Sequence, residues 1–198
     1  MREQGVIRAR CRGARMPKKQ SLLQPFIPLW VDVYERGHAF FVQKVESSGP
    51  TCFIEGQALL AGLYVNELVY HAFQPGDVSE RLFDAYNVVL QTLSASLSHP
   101  ELSGLLRSFE WTLLTEMGYS FAMTHVLPEC YYVFIPEEGL VLASHGLKGA
   151  HLLGIVANDW RSPLVRQTAK TLLRLALDHA LGGRMIFTRT LNQASVND

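Results

Sequence analysis

The sequence is short of cysteine, has no net charge and has no long apolar run, and each shortage excludes a class of protein. Its three cysteines, Cys11, Cys52 and Cys130, are an odd number at wide spacings. That pattern fits reduced thiols in a cytoplasm better than a disulfide framework. The most apolar stretch, "IEGQALLAGLYVNELVYHAF", is broken by Glu55, Gln57, Asn66, Glu67 and His71. It falls short of the roughly 18 uninterrupted apolar residues of a membrane span. There is no Gly-rich phosphate loop, no G-x-S-x-G elbow and no H-E-x-x-H pair. His125 and Cys130 leave half of a tetrahedral metal site empty. Glu137 and Glu138 adjoin Gly139 in a predicted turn, where they read as solvated charge. Cys11 reads as a small core residue rather than a nucleophile. His71, His99 and His179 each stand alone on or beside a predicted helix. No enzyme, metal or cofactor is expected from this inventory.

What is present is a globular composition, 48% hydrophobic and 18% charged over 198 residues, enough to bury a core in one or two domains. The zero net charge hides a strong asymmetry. Residues 1–19 hold seven basic side chains and only Glu3 as an acid, whereas the other 179 residues hold 11 basic and 17 acidic ones. Such a split points to a basic module for a polyanion joined to a more acidic body.

Within that segment, "VIRARCRGAR" alternates with period two. Read as a strand, it places Ile7, Ala9 and Cys11 on one face and Arg8, Arg10 and Arg12 on the other. Arg15, Lys18 and Lys19 continue the charge into a predicted loop. A transit peptide would be an amphipathic, serine-rich helix, yet no serine precedes Ser21. A disordered basic arm is the other alternative. Guanidinium forks match phosphate oxygens, so the row suits a nucleic-acid backbone. Phe26, Trp30, Tyr34, Phe40 and Phe41 lie on or near the next predicted hairpin. Aromatics beside a basic groove are what single-strand binders use to stack bases, although several of these rings must also fill a core.

Gly13, Pro17 and Pro25 predict a loop over 13–26. "PLWVDVYERGHAFFVQKVES" then predicts a hairpin turning at Arg36-Gly37. From Ile54 the period becomes helical. One helix carries Leu59, Leu60, Leu63, Tyr64, Glu67, Leu68 and His71 and stops at Pro75-Gly76. A second, capped by Asp77 or Ser79, carries Leu82, Phe83, Tyr86, Val89, Leu90 and Leu93. A third runs from Pro100 to Gly118. A hairpin is expected over "YYVFIPEEGLVLAS", followed by a helix through His151 to Val156 and another from Pro163 to about Leu181. The predicted class is α+β, with a β module at 1–50 and a mainly helical domain at 51–198.

"GVIRARCRGAR", "LLQPFIPLWVDV", "GLYVNELVYHAF" and "LRSFEWTLLTEMGY", in this order and spacing, resemble the RecO family of bacterial DNA repair proteins, as does "LALDHALGGRMIFTRTLN" near the end. The resemblance implies a non-enzymatic recombination mediator, with an oligonucleotide-binding (OB) barrel followed by a helical domain. It further implies binding and annealing of single- and double-stranded DNA, cooperation with RecR in loading RecA, and a cytoplasmic, nucleoid-associated location. The family barrel has five strands, and this chain is expected to start at the turn before the third, leaving an incomplete module. Relatives carry a four-cysteine zinc site; the matching region here keeps only Cys130, so no zinc is expected. The single-stranded-DNA-binding protein ends in an acidic tail with an apolar last residue. The resemblance places its receptor at Arg107, with Leu106, Phe109 and Leu113 as groove walls; a solvated Arg107, or one paired with Glu110, is the competing reading. An interaction adaptor that binds this tail with little affinity for DNA is the alternative function.

Overall fold

The computed structural model describes residues 3–49 and 54–194, with side chains described to residue 191. Cys52 and the expected boundary at 50/51 lie outside the described residues. The first sheet is built from β1 (Ala9–Cys11), β2 (Leu29–Arg36) and β3 (Ala39–Ser47) in the order β1-β3-β2. β2 and β3 form the expected antiparallel hairpin, turned by Gly37 at φ 67°. A shift in register between Asp32 and Val33 makes Gln43 an extra residue on β3. β1 pairs with β3 in parallel, Arg10 opposite Phe41 and Cys11 opposite Val42.

β1 is shorter than the alternation predicts: with Ala9 opposite Phe40, Ile7 and Val6 fall against the turn at 37–38, before β3 begins at Ala39, and Val6 bonds elsewhere. The Val6 N–H donates to the Asp77 carbonyl (3.2 Å), and the Val6 carbonyl accepts from the Gly76 N–H (2.9 Å). Backbone groups spent on the connection between two helices are unavailable to a strand ladder. The approach is so close that a Cβ on Gly5 would lie 1.8 Å from the Asp77 carbonyl oxygen, and Gly5 has φ 64°. The segment expected to be loop contains one helical turn, α1 (Pro17–Gln20), with proline at its start.

The helical body begins with α2 (Gly56–Ala72), α3 (Glu80–Leu93) and α4 (His99–Glu116). Ser79 caps α3 by accepting from the Leu82 N–H (3.0 Å), and a Ser98/Glu101 capping box opens α4. A second sheet, β4 (Tyr131–Ile135), β5 (Gly139–Ala143) and β6 (Leu147–Lys148), has the order β5-β4-β6. It is followed by α5 (Gly149–Val156), α6 (Pro163–Ala180) and α7 (Phe187–Ala194). The core gathers Val65 and Leu68 of α2, Leu93 of α3, Phe109, Leu113 and Leu114 of α4, Leu152 of α5, and Leu172, Leu173 and Leu177 of α6. Every fully buried side chain named there belongs to the helical body, and none of residues 3–49 is buried. Phe26, just before β2, packs on α2: its ring would lie 2.9 Å from a Cβ on Gly62, so a larger residue there would push the ring aside.

α7 is an element the sequence patterning does not announce. Glu67 of α2 fastens its start by accepting hydrogen bonds from the Phe187 N–H (2.7 Å), the Thr188 N–H (2.9 Å) and the Thr188 hydroxyl (2.6 Å). Burial alone would raise the Glu67 pKa, but these bonds and His71 bring it below the ordinary carboxylate value. Arg189 adds an ion pair with Asp178 of α6 and lies over the Tyr64 ring at 5.8 Å.

Candidate nucleic-acid interface

Strand alternation separates the two faces of the first sheet. Cys11, Val31, Val33, Val42 and Val45 share a half-buried face. Arg10, Tyr34 and Phe41 share the other, and they lie on one rung: Arg10 opposite Phe41 and Phe41 opposite Tyr34. The Tyr34 and Phe41 rings stack with centroids 5.6 Å apart at 22°. Trp30, 73% exposed, stands further along β2 opposite Glu46. Arg10, Arg36, Lys44 and three aromatic rings therefore occupy one accessible face. Toward its β2 end the charge changes sign, because Asp32 faces Lys44, and Lys44 pairs with Glu46 at 2.9 Å.

The aromatic rings named from sequence sort into two groups. Trp30, Tyr34 and Phe41 lie on the cationic face, whereas Phe40 lies on the opposite face and Phe26 packs against α2. Arg8, Arg10, Arg12, Arg15 and Lys18 are exposed, and Lys19 is half-buried. Lys19 donates to the Arg12 carbonyl (2.9 Å), closing the turn after β1. Arg8 and Arg12 flank the three-residue strand, and Arg8 stands over the ring of Tyr70 on α2, 5.2 Å from its centroid. Tyr70 is not singled out by the sequence reading; its place depends on a cation far away in the chain.

The second expected site is arranged differently. Arg107 and Glu110 pair at 2.7 Å, with side chains 11% and 1% exposed. The Tyr64 hydroxyl donates to Glu110 (2.8 Å). Burial raises the Glu110 pKa against the opposing pull of Arg107 and Tyr64. Phe109 and Leu113 are 2% and 0% exposed, so they are core and cannot wall a surface groove; Leu106 is half-buried. The pairing of Arg107 with Glu110 is the competing sequence reading. Two atoms of this pair, Arg107 Nε and Glu110 Oε2, are buried without a hydrogen-bond partner among the described residues. Also among the described residues, no group of three or more His, Cys, Asp or Glu side chains is placed to hold a metal ion, and no helix is long and apolar enough to cross a membrane.

Fold and surface together define an α+β protein whose basic, aromatic sheet face stands on a larger helical body. Residues 55–126 match the family model described as "Recombination protein O C terminal". The chain is 40% identical to the DNA repair protein RecO of Legionella pneumophila (strain Lens), over 96% of this chain and 86% of that protein. It is 38% identical to the protein of that name from Stutzerimonas stutzeri, over 95% and 82%. The counterpart from Pseudomonas aeruginosa (strain LESB58) is 37% identical, over 94% and 83%. The chain belongs to the RecO family.

Proposed function

We propose that this chain acts in DNA repair and homologous recombination as a mediator rather than an enzyme. The β module, residues 1–50, grips single- and double-stranded DNA, and the helical domain, 51–198, receives partners. Arg8, Arg10, Arg12, Arg15, Lys18 and Lys19 hold phosphates without sequence preference, because phosphate contacts position the strand and do not read it. The Arg10, Phe41 and Tyr34 rung carries this reading: a guanidinium for the backbone stands beside rings that can stack with exposed bases. Annealing of complementary strands, loading of RecA together with RecR, and a nucleoid-associated place in the cytoplasm complete the proposal; the family membership supports them. Arg107 and Leu106 remain the proposed contacts for the acidic tail of the single-stranded-DNA-binding protein.

Fluorescence anisotropy with labelled single-stranded DNA at several salt concentrations tests the reading. Binding is expected to weaken steeply with salt, and each lost phosphate contact lowers the logarithmic slope by about 0.7. The R8A/R10A/R12A variant therefore loses about 2 from that slope. An unchanged slope in this variant, or no binding by the folded chain, would refute the assignment.

A further inference from the structure

Tyr70 lies near the end of α2, on the helical body, and its side chain is 60% exposed. The Arg8 guanidinium stands 5.2 Å from the centroid of its ring. Backbone bonds hold these two together: Val6, two residues before Arg8, is joined in both directions to Gly76 and Asp77, just beyond the end of α2. The His71 ring meets Tyr70 edge-on, with centroids 5.4 Å apart at 69°. The row of arginines thus ends on an accessible aromatic ring that belongs to a different part of the fold.

We propose that Tyr70 is a base-stacking platform for single-stranded DNA, so that the bound strand runs off the first sheet and onto α2. This rests on the DNA-binding reading above and extends it to the helical body. A guanidinium over a ring engages the π face with its charge, and its planar fork of N–H donors suits a phosphate. A phosphate held by Arg8 brings its own nucleotide beside Tyr70, and any unpaired base can stack on a ring because every base has a π face. Paired bases are already stacked inside the duplex. The ring therefore contributes to single-strand binding and adds nothing to duplex binding.

The experiment compares Tyr70→Ala, Tyr70→Phe and Tyr70→Trp in the full chain, using a labelled oligothymidine and a duplex of equal length. Tyr70→Ala is expected to weaken oligothymidine binding about tenfold at every salt concentration, with its salt slope and duplex binding unchanged. Phenylalanine and tryptophan keep a flat ring and restore affinity. An oligonucleotide carrying 5-iododeoxyuridine, irradiated on the wild-type protein, is expected to cross-link to Tyr70. Were the tyrosine only a prop for Arg8, alanine would lower the salt slope by about 0.7 and weaken duplex binding equally, overturning the inference. Wild-type affinity in Tyr70→Ala would overturn it too, while leaving the arginine reading intact. A folded wild-type chain that binds no DNA would overturn both.

Discussion

Replacing Glu110 with alanine strikes a carboxylate that is 0% exposed and holds two partners, Arg107 at 2.7 Å and the Tyr64 hydroxyl at 2.8 Å. Removing one member of a buried ion pair costs about 3–5 kcal/mol, because the other charge stays buried without compensation. Arg107 keeps 11% of its side-chain exposure and so has a partial route to water. That places the expected loss near the lower end, at about 3 kcal/mol. For a chain of this length it corresponds to a fall in Tm of about 6–12 °C. Urea unfolding and thermal melting followed by circular dichroism measure both quantities. The control removes the whole polar group: R107M/E110L/Y64F leaves no orphaned charge and is expected within about 1 kcal/mol of the parent, or above it. A loss under about 1 kcal/mol in E110A would refute the buried pairing, as would an apolar triple variant as unstable as E110A. The same logic selects the variant for tail binding. R107A alone would strand Glu110, whereas R107M/E110L removes the cation without leaving a buried charge. The acidic tail peptide is expected to bind this double variant more weakly than the parent, by anisotropy.

Glu67 gives a pH signature. Its folded pKa lies below the ordinary 4.5, so its stabilising contribution is present above that value and is lost as pH falls through the folded pKa. Stability of the parent should therefore drop below about pH 4.5 more steeply than that of E67Q, as read by urea midpoints across that range. G5A places a Cβ 1.8 Å from the Asp77 carbonyl oxygen at φ 64° and is expected to loosen the lead-in to β1. Faster amide exchange at Val6 and Gly76 would report it; unchanged exchange would refute the clamp. S79A removes the acceptor for the Leu82 N–H and the hydroxyl that donates to Glu116 (2.7 Å), costing about 1 kcal/mol in urea unfolding.

Local periodicity carried most of the fold. The hairpins and the helices α2 to α6 follow periods of two or 3.6 residues, and α2, α4 and α6 stop beside Pro75-Gly76, Gly118 and Gly182-Gly183, whereas α3 and α5 end without such a signal. What periodicity missed depends on partners distant in sequence. α7 exposes Phe187 and Leu191, the apolar residues that would mark its inward face, and it is held by Glu67, 120 residues from Phe187. β1 is short because its partner β3 begins only at Ala39, and Val6, beyond that partner, bonds to Gly76 and Asp77 instead. For the candidate site, Arg8, Arg10 and Arg12 were legible as alternate positions facing away from Ile7 and Cys11, and all three are exposed. The division of the aromatics was not, because the register between β2 and β3 and its bulge decide which rings share a face. On α4, a helical stripe cannot tell core from groove when neighbours cover more than one side. α3 and α6 both pack on α4, and Phe109 and Leu113 disappear between elements the sequence does not place.

The charge asymmetry gives these surfaces a direction. A polyanion approaching a chain of zero net charge gains nothing from the whole molecule at a distance, since the basic first 19 residues and the acidic remainder cancel. Attraction begins only within about 10 Å, the screening length at moderate salt, where the arginines around β1 act locally. At that range the sheet itself is graded: Arg10 on β1 and Arg36 on β2 lie toward one end of the face, while Asp32, Lys44 and Glu46 lie toward the other. The far end of the sheet therefore offers a strand rings but less positive charge. The end that adjoins the helical body offers both, because Arg8 meets Tyr70 there. On the proposed DNA-binding reading, a strand held by phosphates at β1 would be steered toward the Arg8–Tyr70 contact and away from Asp32 and Glu46. The backbone bonds between Val6 and the 76–77 connection fix this basic segment against the end of α2, and the Arg8–Tyr70 contact holds it there as well.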